Sequence, residues 1–319
     1  MAFQETARET QERRVIEKFE RELGDACKGY LADDDVVEIL LNPDSTLWIE
    51  RTNGPQVKVG TMSATQSEAI MSTLASIHQT TITRDSPSLS CELPDGSRFQ
   101  GLIPPVSPLG PTFVMRKHAT KIYTLADYVQ NGTMTESQMR VMKNMVAGDQ
   151  NIMVIGPTGS GKTTFVNAII QHLADEFPTD RLIILEDTRE IQSASENVVC
   201  LKAVAGYGFD RLLQDTLRMK PRRILLGEVR EPKAAQRLLS AWNTGHSGGL
   251  TTVHANGAEA GLLRIEALAQ EAVEGPISKS GVAAAINCVV AISKAPRRIT
   301  EILSVHGHDG TRYITTTEG

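Results

Sequence analysis

The sequence predicts an α/β protein in which a smaller α+β domain, residues 1–130, precedes a larger domain, residues 131–319, built on a mainly parallel sheet covered by helices. Three observations carry this expectation. The chain has 319 residues, enough for two domains with a core each. Its first part is written as short β-type runs separated by turn residues. From about Thr135 the grammar changes to helix, apolar strand, helix, apolar strand, as in a parallel sheet buried on both faces. The boundary is expected between residues 119 and 136, in the polar stretch that holds Asn131-Gly132.

Taken in order, residues 5–24 place Val15, Ile16, Phe19 and Leu23 on one face among charged residues, an amphipathic helix that Gly24 can end. Acids and bases alternate on its polar side, so it reads as a packing helix rather than a membrane-surface one. Strands follow at Val36–Leu41, Thr46–Glu50 and Gln56–Val59, the last two joined through an Asn53-Gly54 turn. A helix is predicted from Ala64 to His78. Leu89–Leu93, the turn Asp95-Gly96, Arg98–Ile103, a proline-rich loop and Thr112–Arg116 then read as an antiparallel meander. In the second domain the predicted strands are Asn151–Ile155, Arg181–Leu185, Ile224–Leu226, Leu250–Val253, Val289–Ile292 and Ile299–Val305.

Composition narrows the class. Apolar residues make up 40% and charged residues 22% of the chain, the balance of a soluble globular protein. The charged start has no apolar h-region, so a cytoplasmic protein is expected. The longest apolar stretch, Gly281–Ile292, is interrupted by Asn287 and falls short of the ~20 residues that span a bilayer, so membrane contact should be peripheral. A formal charge of −5 argues against a protein whose main task is coating nucleic acid, because phosphate binding needs a basic face. Cys27, Cys91, Cys200 and Cys288 lie far apart without CxxC spacing and are expected to be free thiols with packing roles.

The strongest chemical signal is the run Gly156, Pro157, Thr158, Gly159, Ser160, Gly161, Lys162, Thr163, Thr164, directly after the strand NIMVI and directly before the helical run FVNAIIQHLA. It matches GxxxxGK[ST] in its strand–loop–helix setting, the P-loop. Glycines let backbone N–H groups and the positive end of a helix close around phosphate oxygens. Lys162 reaches the β- and γ-phosphates of ATP and the Thr163 hydroxyl takes a place on Mg²⁺.

Three further strand ends carry polar residues, and in an open α/β sheet ligands bind at the carboxyl ends of the strands. LIILEDTRE ends in Glu186 and Asp187 with Glu190 behind them, RRILLGEVR ends in Glu228, and GHSGGLTTVHANG ends its strand in His254, with His246 ahead of it. Glu228 suits orientation or activation of the attacking water, since it follows its strand in the manner of a Walker B acid. Glu186 and Asp187 suit Mg²⁺, held through its waters. His254 could sense the γ-phosphate. Each has a plainer rival: a helix cap or surface acid for Glu186, a satisfied buried histidine for His254, an ordinary loop histidine for His246. Arg98, Arg116, Arg218, Arg222 and Arg230 lie near strand or loop ends, and the sequence alone does not choose which of them would cross a subunit boundary.

The boxes GPTGSGKTT, LEDTREI, LLGEVR and TGHSGGLTTVHAN, in that order, resemble the type II and type IV secretion ATPases. LADDDVVEILLNPDSTLWIE, LPDGSRFQGLIPPVS and FVMRKH are similar to the nucleotide-contacting amino-terminal domain of the conjugative-transfer branch of that family. The resemblance implies a RecA-like P-loop NTPase domain and a homohexamer, peripheral at the inner membrane, working with inner-membrane and cytoplasmic components of a conjugative type IV secretion apparatus. It implies nucleotide held between the two domains, with Glu228 as catalytic acid, Glu186 and Glu190 in the acidic box, His246 and His254 in the histidine box, and Arg98 and Arg116 approaching phosphate. Gly227 stands in the usual aspartate place of Walker B, as in that family. Two other readings are a nucleic-acid translocase, which acidic balance and 4% aromatics disfavour, and a small-molecule kinase, which would have no use for a histidine box. Direct DNA contact is therefore not expected to be primary.

Overall fold

The computed structural model describes residues 7–52, 54–117 and 122–319, and for residues 7–12 the backbone alone. The chain divides into two compact units, residues 1–120 and 121–319. The Asn53 half of the expected Asn53-Gly54 turn and the first residues of the expected amino-terminal helix lie outside the described residues.

In the first unit, helix α1 (Ala7–Ala32) is followed by β1 (Val36–Leu41), β2 (Thr46–Arg51), β3 (Gln56–Thr61), α2 (Ala64–Ile77), β4 (Ser88–Glu92), β5 (Arg98–Leu102) and β6 (Thr112–Arg116). Gly24 interrupts α1 but does not end it. Its φ of 79° and ψ of 161° break the helical course, and a second helical stretch resumes at once. The Glu22 carbonyl near this break accepts the Gln66 side-chain amide at 2.8 Å. The sheet is antiparallel, in the order β3-β2-β1-β6-β5-β4. Its core joins Phe19 and Leu23 of α1 and Ile70, Met71 and Leu74 of α2 to Ile39, Leu41, Phe99, Phe113 and Met115 of the strands. Those strand positions alternate, as one buried sheet face requires.

The second unit begins ten residues earlier than the Asn131-Gly132 turn suggested. Helices α3 (Leu125–Gln130) and α4 (Glu136–Ala147) both start on capping boxes, Thr124 with Asp127 and Thr135 with Gln138. Leu125 and Tyr128 of α3 are buried in this unit's core, with Tyr128 edge-on to Phe165 at 5.1 Å between ring centroids. Then come β7 (Ile152–Ile155), α5 (Lys162–Glu176), β8 (Leu182–Glu186), β9 (Val198–Lys202), α6 (Phe209–Thr216), β10 (Arg223–Leu226), α7 (Pro232–Asn243), β11 (Leu250–Val253), α8 (Ala258–Gln270), α9 (Lys279–Ala285), β12 (Cys288–Lys294), β13 (Arg297–His308) and β14 (Tyr313–Thr317).

The sheet order is β14-β13-β12-β7-β11-β10-β8-β9. Strands β12 to β9 in that order run parallel, and β13 and β14 add antiparallel at one edge. Alternate residues of one strand enter opposite layers. Ile152 and Val154 pack with α3, α4 and α5, while Met153 and Ile155 pack with α6 to α9. Strands buried on both faces read as unbroken apolar runs, which is why they were legible. The edge strands β9 and β14 were not predicted, because β9 is only partly buried and β14 ends in Thr-Thr-Thr. Cys200 accordingly is exposed on β9 rather than packed, and all four cysteines are free thiols.

Polar groups lock the amino-terminal edge of this parallel sheet. Asn151 accepts from the Gly249 N–H at 2.9 Å and donates to the Ala285 carbonyl at 2.8 Å, and Asn287 accepts from the Asn151 N–H at 2.9 Å. Arg223, 1% exposed, bonds Asp180 at 2.7 Å and pairs with Asp149 at 2.8 Å. Arg223→Ala should therefore cost about 3 kcal/mol of stability, the low end for breaking a buried pair because both aspartates keep some solvent contact. Chemical denaturation reads this; a loss below about 1 kcal/mol would mean the pair only balances its own desolvation.

Candidate active site

The loop from Gly156 to Gly161 joins the carboxyl end of β7 to the first turn of α5. Gly156 is dictated by proximity, since a Cβ there would run into the Ile292 carbonyl oxygen and the Ser160 hydroxyl. Gly161, the residue before α5, sits at φ 91°, where side chains are strained. Pro157, Thr158 and Gly159 form the exposed crest; Ser160 is buried beneath it, and Thr163 and Thr164 are half-buried on the first turn.

Lys162 is buried and its ammonium donates to the Gly156 carbonyl at 3.0 Å, the Pro157 carbonyl at 3.2 Å and His254 Nδ1 at 3.1 Å. An ammonium can only donate, so Nδ1 accepts and the ring proton sits on Nε2. His254 Nε2 lies 3.1 Å from Glu228 Oε1. Glu228 Oε2 in turn accepts from Arg230 at 2.7 Å, and Arg230 reaches Asp187 at 3.2 Å. The chain Lys162, His254, Glu228, Arg230, Asp187 thus follows the order of the strands β7, β11, β10 and β8 that carry or precede them. Parallel strands deliver their ends to one edge, and residues far apart in sequence become contacts.

The electrostatics agree with this geometry. Burial lowers the affinity of His254 for a second proton, and the charge of Lys162 adds to that against the pull of Glu228, so the ring is neutral at neutral pH. Burial also opposes the charge on Glu228, but the Arg230 hydrogen bond and the charges of Arg230 and Lys162 outweigh it and hold the carboxyl below its ordinary value. Arg230 is raised by its hydrogen bond to Glu228. Among the described residues no aligned hydrogen-bond donor meets the buried Glu228 Oε1, an acceptor position that a water molecule could fill.

Glu186 plays a different part. It is 6% exposed, and its Oε1 accepts from the backbone N–H groups of Glu190 at 2.9 Å and Ile191 at 2.8 Å. It folds the acidic box into a loop. Its side chain also fills the space beside Gly227, where a Cβ would come within 3.2 Å of Glu186 Cγ; an aspartate at the Walker B position would need that space. Burial raises the Glu186 carboxyl to about 7, against the pull of its two backbone donors. Between pH 4.5 and about 7 the folded state holds a proton that the unfolded chain has released, so stability falls as pH rises through that window. Glu186→Gln keeps the acceptor and removes the charge. It should match the wild type in thermal unfolding at pH 5 and exceed it at pH 8; equal melting at both would mean the carboxyl is solvated.

The fit to Mg²⁺ rests on the donor chemistry. Among the described residues no group of three or more histidine, cysteine, aspartate or glutamate side chains could cage a metal. Glu186 is engaged with backbone, and Asp187 with Arg230. What remains is the Thr163 hydroxyl beside the loop, with Glu228 nearby on the same edge. That suits an ion whose other ligands are phosphate oxygens and waters, as Mg²⁺ prefers.

Other predicted site residues lie elsewhere. His246 precedes β11 and bonds the Ala241 carbonyl at 3.3 Å, so within this chain it stands at the edge opposite His254. The Gly248-Gly249 pair beside it is structural, because side chains there would strike Arg223 and Trp242. Arg222 pairs with Asp149 at that same far edge, and Arg218 is exposed in the segment before β10. Arg98 and Arg116 face one another directly across the β5–β6 pair of the first unit, with Arg116 3.9 Å from Glu38. Sequence reasoning missed Lys294 and Arg297, which the β12–β13 turn brings against the P-loop glycines. The basic cluster Lys294-Ala-Pro-Arg297-Arg298, directly after an apolar strand, was the available signal.

Residues 22–303 match the family described as Type II/IV secretion system protein. The chain is 41% identical over 303 residues to the probable conjugal transfer protein TrbB of Sinorhizobium fredii, covering 94% of this chain and 92% of that one. It is 41% identical over 305 residues to the conjugal transfer protein TrbB of Rhizobium radiobacter, covering 95% and 94%. In fold it is similar to the X-ray structure of the Yersinia pseudotuberculosis ATPase DotB, with a TM-score of 0.62, 19% identity, and 92% and 77% of the two chains covered. The expected α/β architecture, with a RecA-like P-loop domain, agrees with that likeness. The family match spans both units, and the chain therefore belongs to the type II/IV secretion system protein family.

Proposed function

We propose that this protein is a Mg-dependent ATPase, converting ATP and water to ADP and phosphate, and that it works as a homohexameric motor energising a conjugative type IV secretion system. The observation that carries the reading is the contact chain from Lys162 through His254 to Glu228: the P-loop cation and a carboxylate suited to positioning water meet at one strand edge. When bound, Mg²⁺ neutralises charge on the phosphates; Thr163 would hold it, with Glu228 and the acidic-box residues Glu186 and Asp187 reaching it only through its waters. Similarity to proteins named for conjugal transfer supports the conjugative setting.

In this reading the first unit supplies Arg98 and Arg116 to nucleotide and contacts neighbouring subunits. The protein acts in the cytoplasm against inner-membrane components of the apparatus. No helix among the described residues is long and apolar enough to cross a membrane, which accords with a peripheral role. The test is hydrolysis rate against protein concentration, run beside light scattering for mass, with product analysis. A per-subunit rate that rises as hexamers form, with free phosphate as product, supports the motor. Concentration-independent hydrolysis by a monomer would withdraw the ring, and phosphate on an acceptor would withdraw the motor altogether.

A further inference from the structure

We infer that the β12–β13 turn forms a second, cationic wall of the nucleotide site, in which Lys294 and Arg297 bind the α- and β-phosphates of a nucleoside di- or triphosphate from the side opposite Glu228. The inference rests on the P-loop reading and deepens it.

Position comes first. Strand β7, which leads into the P-loop, has β11 on one side and β12 on the other. His254 and Glu228 occupy the β11 side, so the γ-phosphate and its attacking water must lie there. The rest of the nucleotide then runs toward β12. At the end of β12, Lys294 Nζ lies 3.3 Å from where a Cβ of Gly159 would be, and Arg297 Nε lies 3.4 Å from where a Cβ of Gly161 would be. Two cations therefore lie over the backbone of the loop, at positions where any larger residue would separate them from it.

Their bonding is the second observation. Among the described residues Arg297 makes only a long bond, 3.4 Å from its terminal nitrogen to the Gly159 carbonyl, and its buried Nε has no hydrogen-bond partner there. A buried N–H without an acceptor is costly and rare, and it points to an acceptor that the fold itself does not supply. Neither Lys294 nor Arg297 pairs with a carboxylate among the described residues, although 38 acidic residues are available in the chain. By contrast Arg222, Arg223, Arg230 and Arg237 are all neutralised by aspartate or glutamate. Unneutralised cations beside a loop of backbone N–H donors make an anion site stronger on that side.

The test is calorimetric titration of the full chain with Mg-ATP and Mg-ADP, comparing wild type, Arg297→Ala, Lys294→Met and the double variant. Each single change should weaken ATP and ADP by the same factor, roughly tenfold for a charge-assisted bond, and KM should rise with Kd. Unchanged affinity in the double variant, weakening of ATP but not ADP, or a fall in kcat with Kd and KM unmoved would each overturn the inference. Lys294→Arg, which keeps the charge, should hold affinity within about threefold, and Arg297→Lys, which keeps the charge but not the Nε donor, should lose less than Arg297→Ala; if both lose as much as the neutral variants, the two side chains serve loop packing and the inference fails. A wild type that binds no nucleotide would instead sink the P-loop reading itself.

Discussion

Lys162→Ala should reduce ATP hydrolysis to background while leaving the fold in place. The ammonium is the point charge that meets the β- and γ-phosphates, and losing a preorganised donor to developing charge costs about 3–4 kcal/mol, several-hundredfold in rate. The side chain is buried, yet its partners are two loop carbonyls and a histidine rather than the apolar layers around β7. Circular dichroism should be unchanged and thermal unfolding shifted only slightly. Loss of the folded spectrum would make Lys162 a structural residue, holding the loop closed, and the rate effect would then say nothing about chemistry. The same variant removes the donor to His254 Nδ1, so the ring should take up a proton more readily, which a histidine titration by NMR can follow.

Glu228→Gln should bind ATP as the wild type does and fail to turn it over, with hydrolysis lower by about 10²–10⁴, the range for removing a positioned acid or base. Size and the acceptor oxygen survive in glutamine, and only charge and basicity are lost. Arg230, through its hydrogen bond and charge, and the charge of Lys162 keep Glu228 ionised at neutral pH. Activity that depends on the carboxylate is thus present above its lowered pKa and is lost as pH falls through it. Single-turnover measurements with trapped nucleotide separate binding from chemistry. Normal turnover by the glutamine variant would move the catalytic acid elsewhere on the strand edge. Glu186 would be the next candidate, although its carboxylate already folds the acidic-box loop.

The sequence alone determined the fold class, the P-loop and the three polar strand ends, because each of these is a local pattern. Buried parallel strands must be apolar along their length, a phosphate loop must have its glycines and lysine at fixed spacing, and polar residues must follow strands that end at a site. Tertiary structure decided what those residues do to one another. Glu186 and Asp187 are adjacent in sequence, yet one is buried capping a loop and the other is exposed beside Arg230. His246 and His254 share one box but stand at opposite ends of β11. Lys294 and Arg297 sit far from the P-loop in sequence, and become its neighbours only because β12 pairs with β7. Strand order and side-chain direction are properties of the packed sheet, set by long-range contacts that no local spacing records.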